Sequence, residues 1–344
     1  MTPPPLACSE FELIDRYFAP LARGFPGACG LRDDAAVISP APGHELVVKS
    51  DVIVGGVDFL PDVPAELIAR RALRVNLSDL AAKGAVPRAY LVDLMLPASI
   101  DEAWVAGFAA GLGQDQAEFG VHLVGGDMSS TPGPIAVAVT VLGETPLGRI
   151  IRRFDARAGE TVYVTGTIGD SALGLDVLRA GAGAPGTDAL GADAAAFLVD
   201  RHRLPRPRVA LGPRLIGIAS AAIDISDGLV ADLRHVCEVS GLCGTLEAAA
   251  VPLSAAAATA LAQAPDRRAR VLGGGEDFEI LFTAPPAAAT RIAELARTAG
   301  VAITAVGRVA APGAGERPGV RVLDAGGRAL QLAVEGWTHF GARR

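Results

Sequence analysis

The chain has few of the residues that carry covalent or redox chemistry. Cysteine occurs only as Cys8, Cys29, Cys237 and Cys243, with no Cys-x-x-Cys pair and no zinc-like spacing to histidine. A zinc module and a disulfide scaffold are thereby excluded, and reduced, mostly structural thiols are expected. None of the five histidines has metal-ligand spacing. Gly169-Asp170-Ser171 lacks both the Gly-x-Ser-x-Gly elbow and a partner histidine recognisable in sequence, which argues against a serine hydrolase. A P-loop is missing too, because no glycine run ends in Gly-Lys-Ser/Thr. With a formal charge of -7, no lysine-rich run and no basic stripe interleaved with aromatics, nucleic-acid binding is not expected. No stretch reaches the roughly 20 apolar residues that span a bilayer. Leu6-Ala7-Cys8 imitates a lipoprotein cleavage site, but the residues just before it are Thr and three Pro, with no apolar h-region. A soluble, cytoplasmic protein is the expectation.

What is abundant is apolar surface and carboxylate. Hydrophobic residues make up 50% and charged residues 20%, enough to bury a large core, and 344 residues suggest two domains. Six acidic clusters sit where apolar elements give way to turns: Asp33-Asp34, Ser50-Asp51, Asn76-Leu-Ser-Asp79, Gly125-Gly126-Asp127, Asp224-Ile-Ser-Asp227-Gly228 and Gly273-Gly-Gly-Glu276-Asp277. Carboxylates gathered by a fold repel one another and rise in pKa unless cations are bound. Mg²⁺, a hard cation that takes oxygen ligands and usually arrives with substrate phosphates, answers that problem.

Periodicity outlines an alternating α/β order. Phe11, Leu13, Ile14, Tyr17 and Phe18 form a helical stripe, and Ala35 to Ile38 reads as a short strand. Leu46 to Val54 is a strand stopped at Gly55-Gly56. A helix then runs from Asp62-Pro64 to Gly84, with Asn76, Asp79 and Lys83 on one face. Ala89 to Leu96, Val121 to Val124 and Ile135 to Leu142 are further strands, with a helix over Asp101 to Phe119. The basic, glycine-bearing stretch Gly148 to Gly159 marks a boundary, giving domains 1–148 and 149–344. In the second domain Thr161 to Thr165, Ala221 to Ile225 and Phe278 to Thr283 read as strands, and Asp227 is placed to cap a helix. The alanine-rich stretches 188–196 and 248–262 read as helices or their connections.

Each motif has a plain alternative. Asp224 and Asp227 serve equally as a turn residue and a cap, and Gly125-Gly126-Asp127 as a turn. Asp79 alone would more often be a solvated helix face. Three successive glycines at Gly273–Gly275 are costly to order, which a ligand-hugging loop or an irregular turn would explain. Gly166 to Gly174 resembles a phosphate nest at a helix N-terminus. Arg152 and Arg153 offer a guanidinium clamp or a basic linker face.

Taken in order, these segments resemble the thiamine-monophosphate kinase family of the aminoimidazole-ribonucleotide-synthetase-like superfamily, over nearly the whole chain. The resemblance runs through Asp33-Asp-Ala-Ala, Ser50-Asp51, Gly56-Val-Asp-Phe-Leu-Pro, Ala72 to Ala85 and Val124-Gly-Gly-Asp. It continues through Val164 to Leu175, Arg206-Pro-Arg-Val, Ile223-Asp-Ile-Ser-Asp-Gly-Leu and Gly273 to Phe282. It implies an α/β (mixed α+β) two-domain fold, whose N-terminal sheet binds ATP and pairs across a homodimer and whose C-terminal domain closes the cleft. It further implies transfer of the ATP γ-phosphoryl to thiamine monophosphate, with several Mg²⁺ ions and no side-chain nucleophile or base. By that pattern Asp34, Ser50, Asp51, Asp79, Asp127, Asp224 and Asp227 hold metal. Asp127, Arg153 and Ser226 face nucleotide phosphates, and Asp58, Glu276 and Trp337 contact thiamine monophosphate.

Three positions depart from the pattern. Arg32 stands where Gly is usual, Asp58 where His is frequent, and Lys49 where a small hydroxylated residue is common and where it would take over part of a metal's role. The rival synthetases fit less well. A selenophosphate synthetase needs an N-terminal reactive Cys with a nearby Lys, and the hydrogenase-maturation relative ends in a reactive Cys where this chain reads Gly341-Ala-Arg-Arg. Aminoimidazole ribonucleotide synthetase itself shares the architecture but not the Asn-Leu-Ser-Asp and Asp-Ile-Ser-Asp-Gly-Leu wording. A silent Mg-nucleotide-binding regulator would not need the complete aspartate set.

Overall fold

The computed structural model describes residues 9–180, 190–332, 336 and 337. Cys8, the first residues of the alanine-rich stretch 188–196 and the final Gly341 to Arg344 lie outside them. The chain divides into two compact units, Met1–Leu80 with Ala85–Gly148, and Ala81–Gly84 with Arg149–Arg344. Each is a mixed α/β body built on one sheet.

In the first unit Ser9 caps a short helix α1 (Glu10–Leu13) through a reciprocal bond with Glu12, and a wide turn over Ile14–Phe18 follows. The sheet comprises β1 (His44–Val54), β2 (Val86–Leu96), β3 (His122–Ser130) and β4 (Ala136–Pro146), in the order β1-β4-β2-β3. Only β2 and β3 run parallel. Helices α2 (Ala65–Ala82) and α3 (Glu102–Phe119) supply buried Ile68, Leu73, Leu77, Val105, Phe108 and Leu112. The two helices approach closely at Gly111, where a Cβ would lie 2.3 Å from the Glu66 carbonyl oxygen. Beside that contact the fully buried Asp115 accepts from Arg74 Nε and Nη2 and from Arg70 Nε, each at 2.8 Å. A buried carboxylate is tolerable only when paired in this way.

Two expectations fail here. Ala35 to Ile38 is not a strand: this exposed or half-buried stretch makes one backbone bond, Val37 N to Gly27 O, and pairs with no sheet edge. Gly125-Gly126-Asp127 is not a turn but the interior of β3, which continues to Ser130 with an extra residue opposite Tyr90 and Leu91. Glycine is required there because Gly126 has φ +149° and a Cβ would sit 1.8 Å from Val92 O.

The second unit carries the sheet β10-β7-β9-β5-β8-β6, antiparallel except for β10 with β7. Its strands are β5 (Thr161–Thr165), β6 (Ala221–Asp224), β7 (Cys243–Glu247), β8 (Ile280–Ala284), β9 (Ile303–Ala310) and β10 (Gly319–Leu323). Around it lie α4 (Asp170–Ala180), α5 (Ala192–Arg203), α6 (Leu229–Ser240), α7 (Ala255–Gln263), α8 (Arg268–Gly273) and α9 (Ala289–Ala299). Val162, Val164, Ile223, Leu229, Leu233, Val236, Leu281 and Val306 form its largest core. None of the helices among the described residues is long and apolar enough to cross a membrane.

Candidate active site

In the first unit the strand alternation of β1 separates two expected ligands. Val47 and Ile53 are buried on one face, with Lys49 and Asp51 between them. Ser50 projects to the other face, where its Oγ is 2.8 Å from Thr140 Oγ1 of the antiparallel partner. The Ser50 hydroxyl and the Asp51 carboxylate therefore cannot share one ion. Asp51 instead shares a cation with Asp79 of α2, since Lys49 Nζ lies 3.0 Å from Asp51 Oδ1 and 3.0 Å from Asp79 Oδ2. Burial works against the ammonium, but Asp79 and Asp51 outweigh it and hold Lys49 above the usual lysine range. Burial pushes the Asp51 carboxyl up, and Lys49 opposes that rise.

One turn before Asp79, Asn76 is buried; its Nδ2 donates to Ala72 O, and its Oδ1 has no partner among the described residues. Lys83 donates to Ala222 O at 2.6 Å within the second unit. Asp58 closes the turn that ends β1: its Oδ2 accepts from Val54 N at 2.8 Å while its own N–H donates to Val54 O.

Asp33 and Asp34 border a cleft of about 430 Å³ lined by five carboxylates, those of Glu10, Asp33, Asp34, Asp93 and Asp127, and by no Lys, Arg or His. Asp93 and Asp127 are register partners across β2 and β3, and Phe18, Leu91 and Leu123 contribute apolar wall. Asp93 was not picked out from the sequence. The signal was present, since an aspartate interrupts the otherwise apolar strand Ala89 to Leu96.

The second unit places Asp224 (4% exposed) at the end of β6, followed by the turn Ile225 to Gly228. Asp227 does not cap α6. Gly228 stands at the cap position, and the turn is held by Asp232, whose Oδ2 accepts from the N–H groups of Ser226, Asp227 and Gly228 at 3.0, 3.1 and 3.0 Å. The carboxylate that anchors the turn thus comes from inside the helix, and the Asp227 side chain instead lies 3.7 Å from His235 Nε2 through Oδ2. Burial first, then the charges of Asp227 and Asp224, push the Asp232 carboxyl well above its ordinary range. Asp227, Asp232 and His235 bring one ligand atom each within 4.8 Å of one another. Asp232 was also missed in the sequence, although a carboxylate among Leu229, Val230 and Leu233 on an apolar helix stripe was the available signal.

The triple glycine lies against this turn. A Cβ on Gly275 would be 2.4 Å from Ser226 O, and one on Gly228 would be 2.8 Å from the Gly273 carbonyl carbon. The close approach that demands glycine here is to the protein's own backbone. Glu276 (φ +63°) donates its N–H to Ser226 O at 2.8 Å, and Trp337 donates its N–H to Asp227 O at 3.0 Å. Two of the three expected substrate-contacting residues, Glu276 and Trp337, therefore flank the Asp224–Asp227 turn. Arg153 is exposed on the segment whose Arg152 carbonyl accepts from Ala222 of β6.

The Gly166 to Gly174 nest holds an internal carboxyl group. Asp277 accepts from Gly169 N at 2.8 Å and Ser171 N at 3.3 Å at the start of α4, so this helix N-terminus is filled by a side chain rather than a phosphate. Burial pushes the Asp277 carboxyl up to about 8, the Gly169 amide opposing. Glu279 is a second buried hub, accepting from Thr165 Oγ1 at 2.6 Å, Arg208 Nε at 2.6 Å and Arg201 Nη2 at 3.2 Å. Ser171 does have a histidine partner, His202 Nδ1 at 3.1 Å, and Glu276 Oε2 lies 3.3 Å from the same nitrogen. A relay needs the nucleophile and the acid on different ring nitrogens. Here both meet Nδ1 and Ser171 is buried, so the group is structural.

The donors suit a hard divalent ion. The lining of the first-unit cleft includes five carboxylates and no Lys, Arg or His, and in the second unit Asp224 and Asp227 are a separate pair of carboxylates. At Asp51 and Asp79 an ammonium already stands between the two oxygens, and the fit there is only partial.

Comparison with known proteins bears on the family and the fold. Residues 32–145 match the family described as AIR synthase related protein, N-terminal domain. The chain is 40% identical over 302 residues to the thiamine-monophosphate kinase of Caulobacter vibrioides, covering 87% of this chain and 83% of that one. The crystal structure of thiamine-monophosphate kinase from Stenotrophomonas maltophilia K279a superposes with a TM-score of 0.80 at 35% identity, covering 94% of this chain and 98% of that one. That of AaThiL complexed with AMPPCP and TMP gives 0.74 at 30% identity, covering 96% and 97%.

Proposed function

The chain belongs to the thiamine-monophosphate kinase family, and from that we propose that it transfers the γ-phosphoryl group of ATP to thiamine monophosphate, giving thiamine diphosphate and ADP. The observation that carries the reading is the first-unit cleft, with five carboxylates and no basic lining residue. Such a cleft repels a polyphosphate unless a divalent ion stands between them, which is the way a metal nucleotide binds. The AMPPCP and TMP bound by the relative AaThiL are of the same two ligand classes.

In this reading Asp34 and Asp127 in the first unit, and Asp224 and Asp227 in the second, hold Mg²⁺. Bound Mg²⁺ would neutralise two phosphorylated reactants and align the attacking and leaving oxygens. The protein's own groups position. Arg153 supplies an exposed guanidinium fork for phosphate. The backbone N–H and C=O of Ser226 are engaged by Asp232 and Glu276, so its hydroxyl is the group through which it meets nucleotide. Trp337 and Glu276, fixed to either side of the same turn by their backbone N–H groups, face the thiamine moiety. Asp58 spends one carboxylate oxygen on its turn and keeps the other for substrate. The acceptor is a phosphate oxygen already ionised at neutral pH, so no general base is required.

The reading includes a homodimer formed through the first-unit sheet. Leu46, Val48 and Val52 are exposed on one face of edge strand β1, a surface that a second copy would cover. It also includes a cytoplasmic setting, which suits the free thiols of Cys29, Cys237 and Cys243. The test is incubation with Mg²⁺, ATP and thiamine monophosphate, with products separated by chromatography and mass detection. Thiamine diphosphate and ADP in equal amounts support the proposal. ADP without thiamine diphosphate, or bound nucleotide without turnover, overturns it.

A further inference from the structure

We infer that Lys49 is a built-in cation that takes the place of a metal ion between Asp51 and Asp79, so this pair binds no divalent ion in the native enzyme. The geometry is that of a bridging ion. One ammonium lies 3.0 Å from a carboxylate oxygen on β1 and 3.0 Å from a carboxylate oxygen on α2, and so joins the two elements. The side chains of Lys49, Asp51 and Asp79 are 34%, 39% and 21% exposed, so the triplet is sheltered but open enough for an ion to enter were the ammonium absent.

Chain composition points the same way. The sequence has 31 Lys and Arg residues, and Lys49 and Lys83 are its only lysines. Lys83 donates to the Ala222 carbonyl oxygen, so each lysine places an ammonium on oxygen acceptors inside the fold while arginine supplies the remaining positive charge. An ammonium is a compact point charge, as a metal ion is, whereas a guanidinium presents its donors in a rigid planar fork. Magnesium would draw its oxygens to about 2.0–2.1 Å. The ammonium holds them nearly an ångström farther out and leaves the triplet one negative charge, where Mg²⁺ would leave none.

The inference deepens the metal-carboxylate part of the proposed function, but its test counts ions without asking for turnover, so either can fail alone. Mn²⁺ binding to the nucleotide-free protein is titrated by the electron paramagnetic resonance of free Mn²⁺, for wild type, Asp79→Asn, Lys49→Ser and the double variant Lys49→Ser/Asp79→Asn. The Lys49→Ser protein is expected to bind one more ion than wild type, and the double variant is expected to lose it. Asp79→Asn alone is expected to leave the wild-type count unchanged. Thermal unfolding supplies a second readout: Lys49→Ser melts lower than wild type in EDTA, and Mg²⁺ restores more of its melting temperature than it adds to wild type. An unchanged ion count in Lys49→Ser, or an ion lost from wild type by Asp79→Asn, overturns the inference.

Discussion

Replacing Asp232 with alanine isolates the device that shapes the second-unit turn. The carboxylate accepts from three consecutive backbone N–H groups at 3.0–3.1 Å, with Asp232 only 1% exposed. Alanine leaves three donors without that acceptor, at about 1 kcal/mol or more each. Against that loss of about 3 kcal/mol stands the relief of a buried carboxyl whose pKa burial and two aspartates push upward. The net destabilisation should be about 2 kcal/mol, a fall in melting temperature of about 4–8 °C for a body of this size. Asn keeps the accepting oxygen and removes the charge, so Asp232→Asn should stay within about 1 kcal/mol of wild type. Calorimetry of both variants in metal-free buffer reads the difference. Turnover should fall about tenfold or more in the alanine variant, because Ser226 and Asp227 lose their backbone anchor. An asparagine variant as unstable as the alanine one, or an alanine variant with wild-type stability, would refute the reasoning.

Other outcomes follow from the same geometry. Asp127→Asn should keep the fold by circular dichroism and lower turnover roughly 100-fold, the range set by charge-stabilising groups; near-normal kinetics would remove Asp127 from the metal site. Asp277 has a folded pKa of about 8 against an ordinary 3.8. The folded state therefore keeps a proton that the unfolded chain has lost, and stability should decline as pH rises from about 4 to about 8. Urea midpoints at the two ends of that window should differ less for Asp277→Asn than for wild type. Gly166→Ala would set a Cβ 2.2 Å from Glu279 Oε1 at φ +58°, so a loss of at least about 2 kcal/mol is expected from strain and overpacking, read by chemical denaturation.

Elements with a clean period were legible in the sequence. The strand Thr161–Thr165, the helix that Asp101 caps through Trp104 N, and the long α2 were all readable before their packing was known. Ala35 to Ile38 was not, because strand propensity without a neighbouring edge makes no ladder. Glycines were recognised as close-approach points, but sequence cannot say what approaches: Gly126 meets Val92, and Gly275 meets Ser226. The aspartates Asp127, Asp224 and Asp227 were visible because glycines and apolar runs border them in the sequence. Asp93 and Asp232 lie inside apolar elements, where a carboxylate is conspicuous only once its burial and partners are known. The opposition of Ser50 and Asp51 follows from strand alternation, yet it settled which carboxylates share a cation only when β1 was paired with β4 and Asp79 was seen beside Lys49.

The central claim is that a cleft of carboxylates binds nucleotide only through divalent metal. The direct measurement is calorimetric binding of AMPPCP to the wild-type protein in Mg²⁺ and in EDTA. The account predicts affinity at least about tenfold weaker in EDTA, a difference of about 1.4 kcal/mol or more. Equal affinity in the two buffers would contradict it.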